Sequence, residues 1–291
     1  MLEVSNRAEI EVLRDPLFID RGLHVCVLRL DTIHPTVSGN KWYKLKYNLL
    51  EFHRQQKQCL VTFGGAYSNH LVATAAACKE EDIYAIGIVR GEELDENSND
   101  SLRHAASCGM KLFFVSRNDY RNLRDDHSSL ISKLPFSASE IYFIPEGGSN
   151  DLAVKGCKEI VEEIQVDFDF ICCACGTGGT IAGISSALKN HQQAIGVSVL
   201  KEAGYLSDRI KHLSKSPPNF QLIDDYNFGG YAKTTSELNE FCRLFSSQNN
   251  IPIEPVYTGK LFYGIYDLVR KGFFEKGKTI VFVHSGGVKL I

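Results

Sequence analysis

A lysine-rich segment, SGNKWYKLK at residues 38–46, holds the first candidate for chemistry. The glycine and asparagine before Lys41 place it where a loop is predicted to enter a helix. The cations of Lys44 and Lys46 would lower the pKa of Lys41, because like charges disfavour one another. A lysine with a lowered pKa can form a Schiff base with a carbonyl group. Taken alone, the segment fits a solvated basic helix face better than a reactive lysine.

A glycine-rich segment, CGTGGTIAG at residues 175–183, follows an apolar run and opens a predicted helix. Glycines at such a turn let backbone N–H groups face one anion, and the helix dipole favours negative charge. We interpret the segment as a phosphate cradle built from the backbone of Thr177, Gly178, Gly179 and Thr180. It has neither the Gly-Lys-Ser/Thr ending of a Walker loop nor G-x-G-x-x-G spacing, so nicotinamide binding is weakly supported. The alternative is a plain strand–helix turn.

Three further glycine-rich segments stand at predicted strand ends: GGAYSNH (64–70), EGGSN (146–150) and HSGG (284–287). Ligands of open parallel sheets bind at the carboxyl ends of the strands. These segments are therefore candidates for a binding site.

Apolar, β-rich runs alternate with helical patterns along most of the chain. The expected strands are 24–30, 59–65, 83–91, 111–116, 141–148, 168–176, 194–201 and 279–287. The expected helices are 43–58, 68–81, 101–109, 118–133, 151–164, one opened by the glycine-rich segment, and 235–248. Several strands are apolar on both faces, as in parallel sheets covered by helices. The predicted class is α/β with a parallel sheet.

The composition narrows the functional classes. The chain has 291 residues and a net charge of -3, so a broad basic surface for nucleic acid is not indicated. No run reaches the ~18 apolar residues of a membrane helix, and no secretory signal is recognisable. The nine cysteines lie mostly in apolar runs, which favours a reducing, cytoplasmic location. Cys172, Cys173 and Cys175 lack a partner motif, so we expect no metal site.

A Schiff-base lysine and a phosphate cradle are the two anchors that pyridoxal 5′-phosphate (PLP) needs. With the other motifs they make the chain resemble the D-cysteine desulfhydrase / 1-aminocyclopropane-1-carboxylate (ACC) deaminase family of fold-type II, tryptophan synthase beta-like PLP enzymes. The matching segments, in the family's order, are Gly39-Asn40-Lys41 with Lys44, Gly64-Gly65 with Ser68-Asn69-His70, Gly176-Thr177-Gly178-Gly179-Thr180, Tyr257-Thr258-Gly259-Lys260, and His284-Ser285-Gly286-Gly287.

The resemblance implies a two-domain α/β architecture with parallel sheets flanked by helices. A large PLP-binding domain would comprise residues 1–48 and 148–291, with a smaller α/β domain inserted at 49–147. It also implies a homodimer.

The resemblance assigns the central roles in the site. Lys41 would hold PLP covalently and later move the substrate α-proton. Asn69 would contact the phenolic oxygen of the cofactor and the substrate. Ser68 and His70 would bind the substrate carboxylate, and Ser68 could also act as acid, base or nucleophile. Tyr257 would be the active-site tyrosine that meets the substrate. The alternative for Ser68 is a simple helix cap.

Other positions have more open roles. Tyr231 is a possible second catalytic tyrosine, or a loop anchor. Lys44 would approach the phosphate, or lie on a solvated surface. Thr258 and Ser285 are hydroxyl residues where ACC deaminases carry a glutamate and a leucine, and either could face the pyridine nitrogen. Alternatively, both merely pack the final turn.

A hydroxyl keeps the pyridine nitrogen protonated less well than a carboxylate, so the ring is a weaker electron sink. Expulsion of a thiolate can proceed with this weaker electron sink, because the leaving group takes the electron pair. Cyclopropane opening has no such leaving group and needs the stronger sink. The favoured function is therefore PLP-dependent α,β-elimination from D-cysteine or a related β-substituted amino acid, giving pyruvate, ammonia and sulfide. The alternatives are an ACC deaminase giving 2-oxobutanoate and ammonia, a PLP-binding relative without turnover, and, least favoured, a nucleotide-binding dehydrogenase.

Overall fold

The computed structural model describes residues 6–37, 39–201, 204–215 and 218–287; Ser38 of the lysine-rich segment lies outside these ranges. Within them the chain forms two β-sheets flanked by helices. This is the predicted α/β class with parallel sheets.

The larger sheet combines strands from both ends of the chain. Its strands are β1 (Glu9–Val12), β2 (His24–Arg29), β7 (Phe170–Cys175), β8 (Gln193–Ser198), β9 (Phe220–Ile223) and β10 (Thr279–His284). They lie in the order β1-β2-β10-β7-β8-β9. β1 is antiparallel to β2, and the other neighbouring strands are parallel.

Helices cover both faces of this sheet. One face carries α2 (Asn40–Arg54), α7 (Asp151–Lys158), α8 (Gly179–Ser185) and α9 (Gly204–Ser214). The other face carries α1 (Pro16–Asp20), α10 (Ser236–Asn249) and α11 (Thr258–Arg270). Alternating side chains of each strand serve the two cores, so Val281 and Val283 enter one while Ile280 and Phe282 enter the other.

The smaller sheet is built from one continuous part of the chain. Its strands are β3 (Cys59–Gly65), β4 (Tyr84–Arg90), β5 (Lys111–Val115) and β6 (Ile141–Ile144), all parallel in the order β5-β4-β3-β6. Its helices are α3 (Asn69–Glu80), α4 (Asp100–Ser107), α5 (Arg117–Asp125) and α6 (Ser128–Ile131). Buried side chains of α2 and α3 join this sheet to the larger one in a single core.

Some predicted elements were wrong in position or extent. The sheet begins at β1, not near residue 24, because a short edge strand with little burial lacks a clear apolar signal. The predicted helix at 118–133 is two short helices with Asp126 and His127 between them. The helix expected at 151–164 ends at Lys158 and continues as a 3₁₀ turn to Val161.

The start of α2 is fixed against the end of β10. Gly39 has φ +70°, and an added Cβ would lie 1.9 Å from the carbonyl oxygen of Ser285. The Gly39 N–H donates to Leu30 O at 2.8 Å, and the Asn40 N–H donates to Ser285 O at 3.3 Å. Only glycine permits this approach of two backbones, and it places Lys41 beside the carboxyl end of the sheet.

Candidate active site

A cavity of about 990 Å³ opens where the carboxyl ends of β3, β4, β7 and β10 face each other. Nine predicted site residues line it: Lys41, Lys44, Ser68, Asn69, His70, Thr177, Tyr231, Tyr257 and Ser285. Four other candidates, Gly178, Gly179, Thr180 and Thr258, are not part of its wall. The topology of two parallel sheets thus brings together segments that are more than 200 residues apart in sequence.

Lys41 lies in the first turn of α2, and its Nζ donates a hydrogen bond to Asn40 Oδ1 at 2.7 Å. Burial, reinforced by the charge of Lys44, lowers the pKa of Lys41 to about 7. Its ammonium also lies 5.8 Å from the centre of the Tyr257 ring. An amine with this pKa is partly unprotonated near neutral pH and can act as a nucleophile or base.

Lys44 is buried one helical turn further along, which excludes the solvated-surface alternative. Its Nζ donates to Gly147 O at 2.8 Å and to Ser149 Oγ at 3.0 Å. The Ser149 hydroxyl lies 2.6 Å from Thr177 Oγ1. Burial lowers the pKa of Lys44, so the cation is destabilised until an anion joins it. Lys44 therefore marks a corner of the cavity suited to phosphate.

The glycine-rich segment supplies the other side of this corner. Gly178 has φ +82° and precedes α8, so the chain turns sharply at the end of β7. An added Cβ on Gly179 would lie 2.5 Å from Ser149 Oγ and 3.3 Å from Lys44 Nζ. The Thr180 hydroxyl accepts a hydrogen bond from the Asn40 side chain at 2.7 Å, so it braces α2. Backbone N–H groups are what this turn offers a ligand.

The start of α3 presents polar groups to the cavity from the smaller sheet. Ser68 is the N-cap of α3, and its Oγ accepts a hydrogen bond from the Leu71 N–H at 3.3 Å. His70 is buried, and its ring nitrogens lie 2.8 and 3.4 Å from the hydroxyls of Thr62 and Thr74. Burial holds the pKa of His70 well below its usual value, so the ring is neutral. Ser68 thus caps the helix and also lines the cavity.

Tyr257 stands between β7 and α11. Its hydroxyl donates to Ala174 O at 2.9 Å, and burial raises the pKa of Tyr257 well above its usual value. The ring is therefore a neutral phenol with a fixed orientation.

Thr258 faces away from the cavity. Its Oγ1 donates to Glu254 Oε1 at 3.1 Å, and the Thr258 N–H donates to the same oxygen at 2.7 Å. Glu254 also accepts hydrogen bonds from the N–H groups of Val256 and Tyr257. Burial raises the pKa of Glu254 to about 7. The carboxylate and Thr258 together anchor the start of α11, a role that the sequence analysis did not assign.

Ser285 differs from Thr258 in facing the cavity. Its Oγ is buried and has no hydrogen-bond partner among the described residues. A buried hydroxyl in this state leaves a donor and an acceptor for a ligand atom. Of the two hydroxyl residues singled out from the sequence, the structure therefore brings Ser285, and not Thr258, to the cavity wall.

Several cavity residues were missed by the sequence analysis. Ser149 completes the corner beside Lys44, and its signal was the EGGSN segment. Arg90, Arg124, Lys201 and Arg209 also line the cavity. Arg90 and Lys201 end apolar runs, Arg124 and Arg209 stand in polar stretches, and none of them belongs to a motif. Glu254 had one available signal, a lone acid flanked by proline and apolar residues.

An amine of lowered pKa lies beside a second buried lysine and near the glycine-rich turn that opens α8. This pairing suits an aldehyde that carries a phosphate, and it defines the class: an α/β enzyme that holds a carbonyl cofactor covalently. The unpartnered Ser285 Oγ fits a ring nitrogen of such a cofactor.

Comparisons with known proteins specify the family. The family model for pyridoxal-phosphate dependent enzymes matches residues 16–286, and the chain belongs to this family. A Pyrococcus furiosus protein, provisionally named 1-aminocyclopropane-1-carboxylate deaminase, is 32% identical over 92% of this chain and 85% of its own length. The Arabidopsis thaliana bifunctional D-cysteine desulfhydrase/1-aminocyclopropane-1-carboxylate deaminase, a mitochondrial protein, is 31% identical over 93% of this chain and 74% of its own.

A solved structure shows the same fold. The crystal structure of an ACC deaminase homologue superimposes with a TM-score of 0.85 at 28% identity, covering 99% of this chain and 91% of that one. The fold is that of the fold-type II PLP enzymes, and the cofactor is PLP. Both sequence predictions are confirmed. No helix among the described residues is long and apolar enough to cross a membrane.

Proposed function

We propose that this PLP-dependent lyase removes the β-substituent and the amino group of D-cysteine or a similar small β-substituted amino acid. The observation that carries the proposal is the Ser285 hydroxyl, which faces the cavity unpartnered while the nearby Glu254 carboxylate is engaged by backbone N–H groups. A hydroxyl beside the ring nitrogen suits a reaction whose leaving group takes the electron pair.

The chain's own residues would divide the work as follows. Lys41 would hold the aldehyde carbon of PLP, and the phosphate would lie against Lys44 and Thr177, directed toward the N–H groups of Gly178, Gly179 and Thr180 just behind the cavity wall. Asn69 would meet the phenolic oxygen and Ser285 the ring nitrogen. PLP supplies an electron sink next to the substrate α-carbon.

On the substrate side, the N-terminus of α3 would bind the carboxylate through Ser68 and Asn69. The neutral ring of His70 supports this helix turn rather than supplying a charge. Once the substrate amine has replaced Lys41 on the aldehyde carbon, the freed Lys41 Nζ would take the α-proton, the Cβ–S bond would break, and its electron pair would leave with sulfur. The released enamine is hydrolysed to pyruvate and ammonia. Tyr257 would orient the substrate, and Tyr231 would restrict entry of water.

ACC is the second candidate substrate. The Pyrococcus furiosus and Arabidopsis thaliana relatives both carry ACC deaminase in their names. Ring opening would give 2-oxobutanoate and ammonia, and it would need protonation of a ring carbon with no departing anion.

The test is the visible absorbance of the purified protein before and after addition of D-cysteine, L-cysteine or ACC, with assays for sulfide and 2-oxo acids. We expect a band of lysine-bound PLP, changed most by D-cysteine with release of sulfide. Lys41→Ala should lose the band. Lys46→Ala should keep it, because Lys46, on the same helix as Lys41, is paired with Glu159 and does not line the cavity.

Other outcomes would redirect the proposal. Faster release of 2-oxobutanoate from ACC than of sulfide from D-cysteine would refute the argument from Ser285. A stable PLP band that responds to no amino acid would favour a PLP-binding relative without turnover.

We also propose a domain division, a cellular compartment and an oligomeric state. The smaller sheet lies wholly within residues 59–144, which supports an inserted domain at 49–147. All nine cysteines are free, which supports a reducing compartment such as the cytoplasm. The homodimer rests on the family resemblance, and light scattering of the purified protein tests it.

A further inference from the structure

A lysine in α11 is buried although the catalytic proposal does not use it. Lys260 is 0% exposed, and its Nζ donates to the backbone carbonyls of Asn227 at 2.9 Å and Gly230 at 2.7 Å. An ammonium group removed from water is costly unless its donors are satisfied. Glu254 adds only an attraction through space, and burial lowers the pKa of Lys260 to about 8. The two carbonyls therefore provide the main compensation for this charge.

The carbonyls belong to a strained loop, Asn227–Ala232. Phe228 and Ala232 have φ of +53° and +58°, and Gly229 and Gly230 have φ of +92° and +117°. The left-handed region costs roughly 1 kcal/mol or more for a residue with a side chain. Such a loop keeps one conformation only when other contacts determine it. The bonds to Lys260 are contacts of this kind, and they come from outside the loop.

The same loop carries a wall of the cavity. Tyr231 lines the cavity, and its hydroxyl donates to Tyr67 O at 2.7 Å, across to the segment between β3 and α3. Lys260 stands three residues after Tyr257, which also lines the cavity. One ammonium group thus ties the loop of Tyr231 to the helix that follows Tyr257.

We propose that Lys260 is a positioning residue: its ammonium serves as a built-in monovalent cation that holds the 227–232 loop in place and so fixes Tyr231 at the cavity. The carbonyls of Asn227 and Gly230 form a cation site of matching chemistry. If the side chain is shortened, a free ammonium ion can occupy that site. The role of Tyr231 in turnover rests on the proposed function, but the role of Lys260 in holding the loop does not.

The test uses hydrogen exchange of the PLP-loaded protein. The probes are two backbone N–H groups. That of Gly230 donates to Asn227 O, and that of Lys233, the residue after the loop, donates to Gly230 O. In Lys260→Ala we expect these amides to exchange at least tenfold faster. Ammonium or methylammonium chloride at about 100 mM should slow them at least threefold relative to sodium chloride.

Two further variants make the test specific. Lys260→Met fills the space without a charge, so it should exchange fast and not respond to ammonium. Lys57→Ala removes a half-buried lysine whose solvent-exposed hydrogen bond also goes to a backbone carbonyl, that of Ser139, and it should behave like the wild type. The proposal is overturned if the loop amides of Lys260→Ala or of Lys260→Met exchange as slowly as those of the wild type. Equal acceleration throughout α11 and β10 also overturns it, because that result shows general loosening.

Kinetics provide a second readout. If D-cysteine is a substrate, Lys260→Met should raise KM as Tyr231→Phe does, and the double variant should be within twofold of the worse single variant. Additive losses would contradict a shared role. If no amino acid is turned over by the wild type, the proposed function fails while the exchange experiment still decides the role of Lys260. If Lys260→Ala does not fold, Lys260→Met decides the exchange test.

Discussion

At the scale of single residues, burial changes which groups of the site carry charge. The pKa of Lys41 falls to about 7 because the ammonium is desolvated beside Lys44, and the pKa of Glu254 rises to about 7 because its carboxylate is desolvated. A lysine and a glutamate, whose pKa values ordinarily lie far apart, therefore titrate at about the same pH. A base and an acid that are both half-ionised near neutrality give the site a protonation state that is sensitive to small changes.

Glu254 makes stability depend on pH in a direction that can be worked out. Its native pKa of about 7 lies above the unfolded value of 4.5, so between these values the native state holds a proton that the unfolded state has released. Raising the pH from 5 to 7.5 should therefore lower the free energy of unfolding of the wild type relative to Glu254→Gln by roughly 1–3 kcal/mol. Urea unfolding at several pH values measures this difference.

The matched control is Glu240→Gln. Glu240 is exposed and paired with Arg243, and its pKa lies below the usual value, so it does not titrate in this window. Its stability difference from the wild type should stay constant. Parallel curves for Glu254→Gln and wild type would contradict the assigned burial of a titrating carboxyl.

The sequence could identify residues whose role is local but not those whose role depends on burial. Lys41 follows a recognisable glycine and asparagine at a helix start, so its position was predictable. Glu254 and Ser285 owe their properties to elements that are distant in sequence. Ser285 lies at the cavity because β10 joins β2, and that pairing has no local signal.

At the scale of elements, the site depends on a close junction between α2 and β10. Gly39→Ala would put a Cβ 1.9 Å from the Ser285 carbonyl oxygen, so helix or strand must move. We expect this variant to lose most of its PLP absorbance and to melt at a lower temperature. Gly109→Ala is the control, since Gly109 also has positive φ, +90°, but an added Cβ has nothing within 4 Å.

The two variants separate the cost of a side chain at positive φ from the effect of the clash between α2 and β10. Gly109→Ala should cost about 1 kcal/mol of stability and keep full PLP loading. Full loading of Gly39→Ala with unchanged affinity would show that the junction does not position Lys41.

The inner strands were predictable from the sequence, whereas a short edge strand and a largely buried helix were not. The inner strands were recognised because both of their faces are apolar. α11 was missed because ten of its residues are buried and its exposed face is narrow, formed by Tyr263, Asp267 and Arg270. β9 was missed because it is short and half exposed.

At the scale of the whole molecule, the cavity is closed on one side by a contact between two loops, the 227–232 loop with Tyr231 and the segment between β3 and α3 with Tyr67. Tyr231→Phe removes this one hydrogen bond, worth about 0.5–1.5 kcal/mol. We expect KM for the amino acid to rise by roughly 2–12-fold with the PLP absorbance unchanged. Steady-state kinetics of sulfide release measure this.

Tyr205→Phe is the comparison, because Tyr205 is an exposed tyrosine that lines the cavity. Its KM should stay within twofold of the wild type. An unchanged KM in Tyr231→Phe would mean that the contact with Tyr67 does not help to close the cavity around substrate.

The pairing of β2 with β10 also constrains the order of events during synthesis. His24–Arg29 can find its parallel partner only after Thr279–His284 has left the ribosome, whereas the four strands of the smaller sheet are complete once residue 144 has emerged. The smaller sheet can therefore fold while the larger one waits with an open central position. The cofactor cannot be captured early, since Ser285 and the support for Gly39 come last. Until then Lys41 lacks the burial that chiefly lowers its pKa, so its amine stays mostly protonated and reacts slowly with cellular aldehydes.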